Sequence, residues 1–135
     1  LALQAPSSVT AKDLAIATRV PEPYLHKVLQ QLRNHKIVVS QRGVGGGIRL
    51  ARQADQLTIL DVANAVEPVP RIRSCPLELA GHGINLCPLH RRLDNALSQI
   101  EQTFAASTLA DLLHDQDGVA PLCPFPKVKQ VKCHP

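Results

Sequence analysis

Tryptophan and methionine are absent from this chain, and Tyr24, Phe104 and Phe125 are its only aromatic residues. A core drawn from 44% apolar residues must therefore be aliphatic. Stacking on unpaired bases, which uses several aromatic rings, is a poor explanation for any nucleic-acid binding here. A run of eighteen apolar residues is also lacking, as is a secretory leader pattern, so no membrane partner is expected and the expected compartment is the cytoplasm. There, four unevenly spaced cysteines (75, 87, 123 and 133) read as thiols or metal ligands rather than a disulfide framework. Cys123 and Cys133, in the tail, read as exposed thiols. The opening Leu1-Ala2-Leu3-Gln4 resembles the last turn of a helix whose earlier residues are expected to precede Leu1.

Catalytic groupings are missing as well. No Ser/His/Asp or Cys/His pair falls on a predicted rigid element, and no paired carboxylates occur, which argues against an enzyme. The glycine run at 43–47 is not followed by Gly-Lys-Ser/Thr and opens a strand rather than a helix, so it is no nucleotide phosphate loop.

What is present is charge sorted along the chain. Residues 1–66 hold eight Lys/Arg against four acids, and residues 67–120 hold four against seven; three further lysines lie in the tail. A basic front and an acidic rear fit a DNA-facing module joined to a protein-facing one. The front half also has a recognisable order. Thr10 and Asp13 cap a short helix over 11–18, and Arg19-Val20-Pro21 breaks it. A second helix begins near Glu22, with Leu25, Val28, Leu29 and Leu32 on one stripe. Strands over 37–41 and 48–52 then flank Arg42-Gly43-Val44-Gly45-Gly46-Gly47, an arginine-bearing glycine loop. Helix, turn, helix and hairpin predict a winged helix-turn-helix, in which the second helix enters the major groove and the wing reaches backbone or minor groove.

That geometry nominates Pro23, His26, Lys27 and Gln30 near base edges, with Tyr24 a further DNA-binding candidate on the exposed faces of the same helix. Lys27 can donate to guanine, and Gln30 can pair with adenine. Arg33 and Lys36 suit phosphates. In the wing, Arg42, Gly43 and Gly45 can approach a phosphate or a narrow A·T-rich minor groove. Thr58 caps a further helix over 59–66. From Leu89 an apolar seam of Leu89, Leu93, Leu97, Ile100 and Phe104 runs over four to five turns, with no partner left in a front module that has its own core. It predicts pairing with a second chain. Residues 108–113 form a last short helix. The expected fold class is mainly α with a small β-hairpin, a winged helix-turn-helix plus a long C-terminal dimerisation helix. Its predicted parts are a DNA-binding module over 1–67, a Cys/His loop over 68–88, the dimerisation region over 89–113 and a flexible tail over 114–135.

Tyr24-Leu25, Leu32-Arg33 and the run from Val39 through Arg42-Gly43-Val44-Gly45-Gly46-Gly47 to Arg52 resemble the winged-helix signature of the Rrf2 family of bacterial regulators. The resemblance continues through Leu57-Thr58-Ile59-Leu60-Asp61-Val62 to Thr108-Leu109-Ala110-Asp111-Leu112. It implies a homodimer held by the long C-terminal helix and bound to a palindromic operator in double-stranded DNA. It also implies a long first helix, of which only the end is present at residues 1–5. Cluster-binding members carry three cysteines in the loop before the long helix, at times with a Cys-x-x-His ending. Cys87-Pro88-Leu89-His90 matches that ending and Cys75 can match the first cysteine. The middle cysteine is absent, and His82 is the loop side chain that could replace it.

Two thiolates and two imidazoles can hold a [2Fe–2S] cluster or a tetrahedral zinc ion. A thiol sensor, or an inert loop without a cofactor, fits the same residues, and the three readings stay open. Ligand exchange at such a site would move the long helix and re-space the two recognition helices. A winged helix that packs on protein instead of DNA also stays open; the basic front half favours DNA.

Overall fold

The computed structural model describes residues 1–43, 45–75 and 86–114. Among them are the helices α1 (Ala11–Thr18), α2 (Glu22–Asn34), α3 (Ile59–Val66), α4 (Pro88–Ala106) and α5 (Leu109–His114), with one hairpin of β1 (Val38–Gln41) and β2 (Gly47–Leu50). The expected helix–turn–helix–hairpin order is present, and each strand lies within one or two residues of its predicted span.

Local chemistry explains the boundaries. The Thr10 hydroxyl accepts the Asp13 N–H at 3.1 Å and donates to the Asp13 carboxylate at 2.7 Å, so the first turn of α1 has one of its orphan donors satisfied. Arg19 closes α1 in the left-handed region at φ 55°, and Pro21 sets the entry to α2, with Pro23 in the first turn where a missing N–H costs nothing. Thr58 and Asp61 form a reciprocal capping box on α3, with bonds of 3.0 and 3.1 Å. Pro88 occupies the first turn of α4 in the same way.

The hairpin pairs Val38 with Leu50, Val39 with Arg49, Ser40 with Ile48 and Gln41 with Gly47. At its turn Gly45 takes a φ of 77°, and a Cβ on Gly46 would overlap the carbonyl oxygens of Gln41 and Gly43. A third segment joins the sheet: Val9 and Ile48 exchange backbone bonds of 2.9 and 2.8 Å. The Ser8 hydroxyl adds a bond to the Gly45 carbonyl at 3.1 Å. The wing is thus held at its inner edge by the residues that lead into α1.

Two aliphatic clusters form the core. Val9, Leu14, Leu25 and Leu29 join α1 to α2, and Ile37, Val38, Leu57 and Ala65 join the hairpin to α3; Leu1 and Ile48 pack against both. Leu57 is fully enclosed, at 0% exposure. Its carbonyl accepts the Leu109 N–H at 2.8 Å, while the Ile59 N–H reaches the Ser107 carbonyl at 2.9 Å. These two bonds return the far end of α4 to the start of α3.

Truncation at this point should be costly. Leu57→Ala is expected to lower the unfolding free energy by about 2–5 kcal/mol, the range for emptying an enclosed leucine site. Urea unfolding followed by circular dichroism measures it. A loss under about 1 kcal/mol would show that the two clusters do not depend on Leu57.

Candidate functional site

Leu25 and Leu29 are the buried residues of α2, and their burial turns the other faces of the helix outward. Pro23, Tyr24, His26, Lys27, Gln30 and Arg33 are all exposed. His26 Nε2 lies 3.5 Å from Glu22 Oε1 one turn earlier. Gln31, on the inner side, donates from Nε2 to the Val66 carbonyl at 3.2 Å and ties α2 to the end of α3. Between α2 and the hairpin lies a cleft of about 350 Å³, lined by His26, Gln30, Arg33 and Ser40 over a floor that includes Leu29, Val38 and Ile48. Arg42, Gly43 and Gly45 are exposed in the hairpin loop. The residues nominated on α2 and the wing are therefore all solvent-facing, and Lys36, nominated just after α2, is exposed as well. Nothing in the local pattern marks Ser40 as lining the cleft, or Ser8 as holding the loop.

The second candidate region centres on α4. Cys87 Sγ lies 3.3 Å and Cys75 Sγ 3.9 Å from the same atom, His90 Nδ1. The two cysteines, 12 residues apart in sequence, thus converge on one imidazole; Cys75 is buried and Cys87 half-buried. His82, Cys123 and Cys133 lie outside the described residues. Among the described residues no group of three or more His, Cys, Asp or Glu side chains is arranged to hold a metal ion. A [2Fe–2S] cluster or a structural zinc takes four protein ligands, and two thiols with one imidazole fall short of that number.

Arg71, unmarked by any motif, anchors the segment that leads to Cys75. Its Nε and Nη2 each donate at 2.8 Å to one oxygen of Asp94, and its Nη1 donates at 2.8 Å to Glu101. The Ile72 N–H adds a bond to Asp94 at 2.9 Å. These contacts, led by the Arg71 hydrogen bonds and then the Ile72 N–H, pull the Asp94 carboxyl down to about 2, and Arg71 is held more firmly charged than a free guanidinium.

The apolar seam of α4 is divided. Leu89, Leu93 and Ile100 are exposed at 62%, 47% and 44%, whereas Leu97 and Phe104 are half-buried. No residue of this 19-residue helix is buried. No helix among the described residues is long and apolar enough to cross a membrane.

A family model, Rrf2, described as an iron-dependent transcriptional regulator, matches residues 1–115. The chain belongs to the Rrf2 family. It is 31% identical over 126 residues to the HTH-type transcriptional regulator NsrR of Geobacillus kaustophilus, across 90% of this chain and 84% of that protein. With IscR of Sodalis glossinidius it shares 30% identity over 94 residues, 70% of this chain and 57% of the relative. Among solved structures, CymR, the global cysteine regulator of B. subtilis, superposes with a TM-score of 0.68 at 24% identity, covering 86% of this chain and 85% of that one. IscR of T. potens superposes at 0.66 with 25% identity, over 85% and 77%. These likenesses establish the winged-helix fold and make this Rrf2 protein a transcriptional regulator, not an enzyme.

Asp94 supplies a test by pH. Its carboxyl titrates near 2 when folded, below the 3.8 of a free aspartate, so its contacts stabilise the protein fully above about pH 4 and are lost as pH falls toward 2. Asp94→Asn should remove that component: between about pH 5 and about pH 2.5 the urea midpoint of the variant should fall less than that of the wild type. Parallel profiles would show that the Arg71–Asp94 contact contributes nothing to acid stability.

Proposed function

We propose that this Rrf2 regulator binds palindromic operator DNA as a homodimer in the cytoplasm, and that the Cys75–His90–Cys87 cluster adjusts its affinity. The observation that carries the DNA reading is the solvent-facing row Tyr24, His26, Lys27, Gln30 and Arg33 on α2, beside a wing loop bearing Arg42. Early residues of such a helix meet base edges in the major groove. A bidentate Gln–adenine pair, or a Lys–guanine contact, gives sequence discrimination. Arg33 and Arg42 neutralise phosphates, with Gly43 and Gly45 leaving the wing backbone free to approach.

Dimerisation through α4 is supported by Leu89, Leu93 and Ile100, which recur at helical spacing and remain exposed on a helix with no buried residue. Burying them against a second copy, with Leu97 and Phe104 at the margin, removes apolar surface from water. Two reading heads related by a two-fold axis match two half-sites about one helical turn apart.

For the responsive element, the convergence of two thiols on His90 supports redox chemistry at sulfur. A second reading, motivated by the Cys-x-x-His ending at 87–90, is a [2Fe–2S] cluster with Cys75, Cys87 and His90 as ligands and His82 as the fourth. When bound, such a cluster would supply one-electron redox chemistry. Anaerobic purification with an absorbance spectrum and iron analysis separates the readings. A colourless, iron-free protein that binds its operator disposes of the cluster; colour lost in both Cys87→Ala and His90→Ala supports it.

Selection from random duplexes should recover a palindrome, and its absence would overturn the operator reading. On the recovered duplex, Gln30→Ala is expected to cost about 1–3 kcal/mol and to relax one base position. Arg42→Ala should weaken binding to all sequences alike and reduce the slope of log K against log salt by about 1. Fluorescence anisotropy across a salt series measures both. For the interface, Leu93→Asp combined with Ile100→Asp should shift the protein to monomer mass in sedimentation equilibrium; an unshifted dimer would place the interface elsewhere.

A further inference from the structure

Residues 71–75 are fixed to α4 at both ends. At one end Arg71 holds Asp94 and Glu101, and Ile72 holds Asp94; at the other, Cys75 meets His90 beside Cys87. The α4 contacts come from positions 90, 94 and 101, which fall within roughly 40° of arc on a helix of 3.6 residues per turn. Leu89, Leu93 and Ile100 fall on the adjoining stripe, so this strap and the exposed apolar seam occupy different faces of one helix.

The strap also leads back to the reading head. Just before it, the Val69 N–H donates to Asn64 Oδ1 at 3.4 Å, and the Val66 carbonyl accepts from Gln31 of α2 at 3.2 Å. Only a planar fork makes the Arg71 contacts. Nε and Nη2 grip both oxygens of one carboxylate while Nη1 reaches a second carboxylate two turns further along α4. A lysine ammonium can satisfy one of these carboxylates as a point charge and leaves the register of the strap loose.

We propose that Arg71 is the positioning residue of the thiol cluster: its hold on Asp94 and Glu101 sets the register of residues 71–75 along α4 and so keeps Cys75 buried against His90. The hold determines how readily a thiol-directed reagent reaches Cys75, and it transmits the position of that thiol toward α3 and α2. The proposal rests on reading the cluster as the responsive element.

The test uses the full chain, reduced, with iodoacetamide as the probe and peptide mass spectrometry to read Cys75 and Cys87 separately. Labelling of a buried thiol proceeds through local opening, so releasing the strap should raise the Cys75 rate about tenfold in Arg71→Ala and in Asp94→Asn, with Cys87 changed less than about twofold. Arg71→Lys and Glu101→Gln, milder changes, should fall between these and the wild type. The double variant Arg71→Ala/Asp94→Asn should label Cys75 no faster than the faster single variant, because the Arg71–Asp94 contact is shared by both changes. Cys75 rates within about twofold of the wild type in Arg71→Ala and Asp94→Asn would overturn the proposal. So would equal rises at Cys75 and Cys87 in every variant, which report general loosening. The reading beneath it fails separately: if alkylating Cys75 in the wild type leaves operator affinity unchanged, the cluster is not the responsive element, whatever the labelling rates.

Discussion

Burial of Leu25 and Leu29 is the constraint from which the rest of the reading head follows. Two leucines four residues apart fix the rotation of α2 about its own axis. Once they are enclosed with Val9 and Leu14, Lys27 and Gln30 can only face outward, and Gln31 can only face α3. The same cluster takes Ile48 from β2, so one apolar contact sets both the helix and the wing at the sides of a shared cleft. A polar side chain at position 25 or 29 would therefore disturb recognition without touching a single exposed group.

Helix α4 solves a different problem, that of serving two neighbours at once. One stripe carries His90, Asp94 and Glu101, with Cys87 just ahead of the first turn, and receives residues 71–75 through hydrogen bonds and ion pairs, which are directional. The next stripe carries Leu89, Leu93 and Ile100, whose exposure is open to apolar burial, which is not directional. Directional contacts set register; apolar contacts tolerate sliding. The division lets a change at the thiols be felt along the strap without requiring the apolar stripe to repack.

Much of the fold was legible in the sequence because its signals are local. Thr10 with Asp13, and Thr58, announce helix starts through local caps, and the structure contains both caps. The 3.6-residue periodicity of α2 and α4, and the glycines between a β-branched run and an alternating one, are of the same kind. The contacts that were not legible join distant residues without a repeating pattern. Arg71 finds Asp94 and Glu101 across 23 and 30 positions, and Ser8 finds Gly45 across 37. An isolated arginine in an aperiodic stretch looks like any solvated charge until the chain is folded. Periodicity also treated the apolar seam as uniform, whereas Leu97 and Phe104 are half-buried and Leu89 stands exposed. The candidate ligand His82 was named from the sequence and lies outside the described residues.

The aliphatic core has an optical consequence. Tyr24 is the sole tyrosine, tryptophan is absent, and 59% of Tyr24 is exposed at the start of α2. Most proteins emit from rings buried in the core, which report on unfolding. Here the ultraviolet fluorescence excited near 280 nm originates from one phenol on the outer face of α2. The molecule carries its own unlabelled probe, silent about the interior and sensitive to whatever comes to rest on that face.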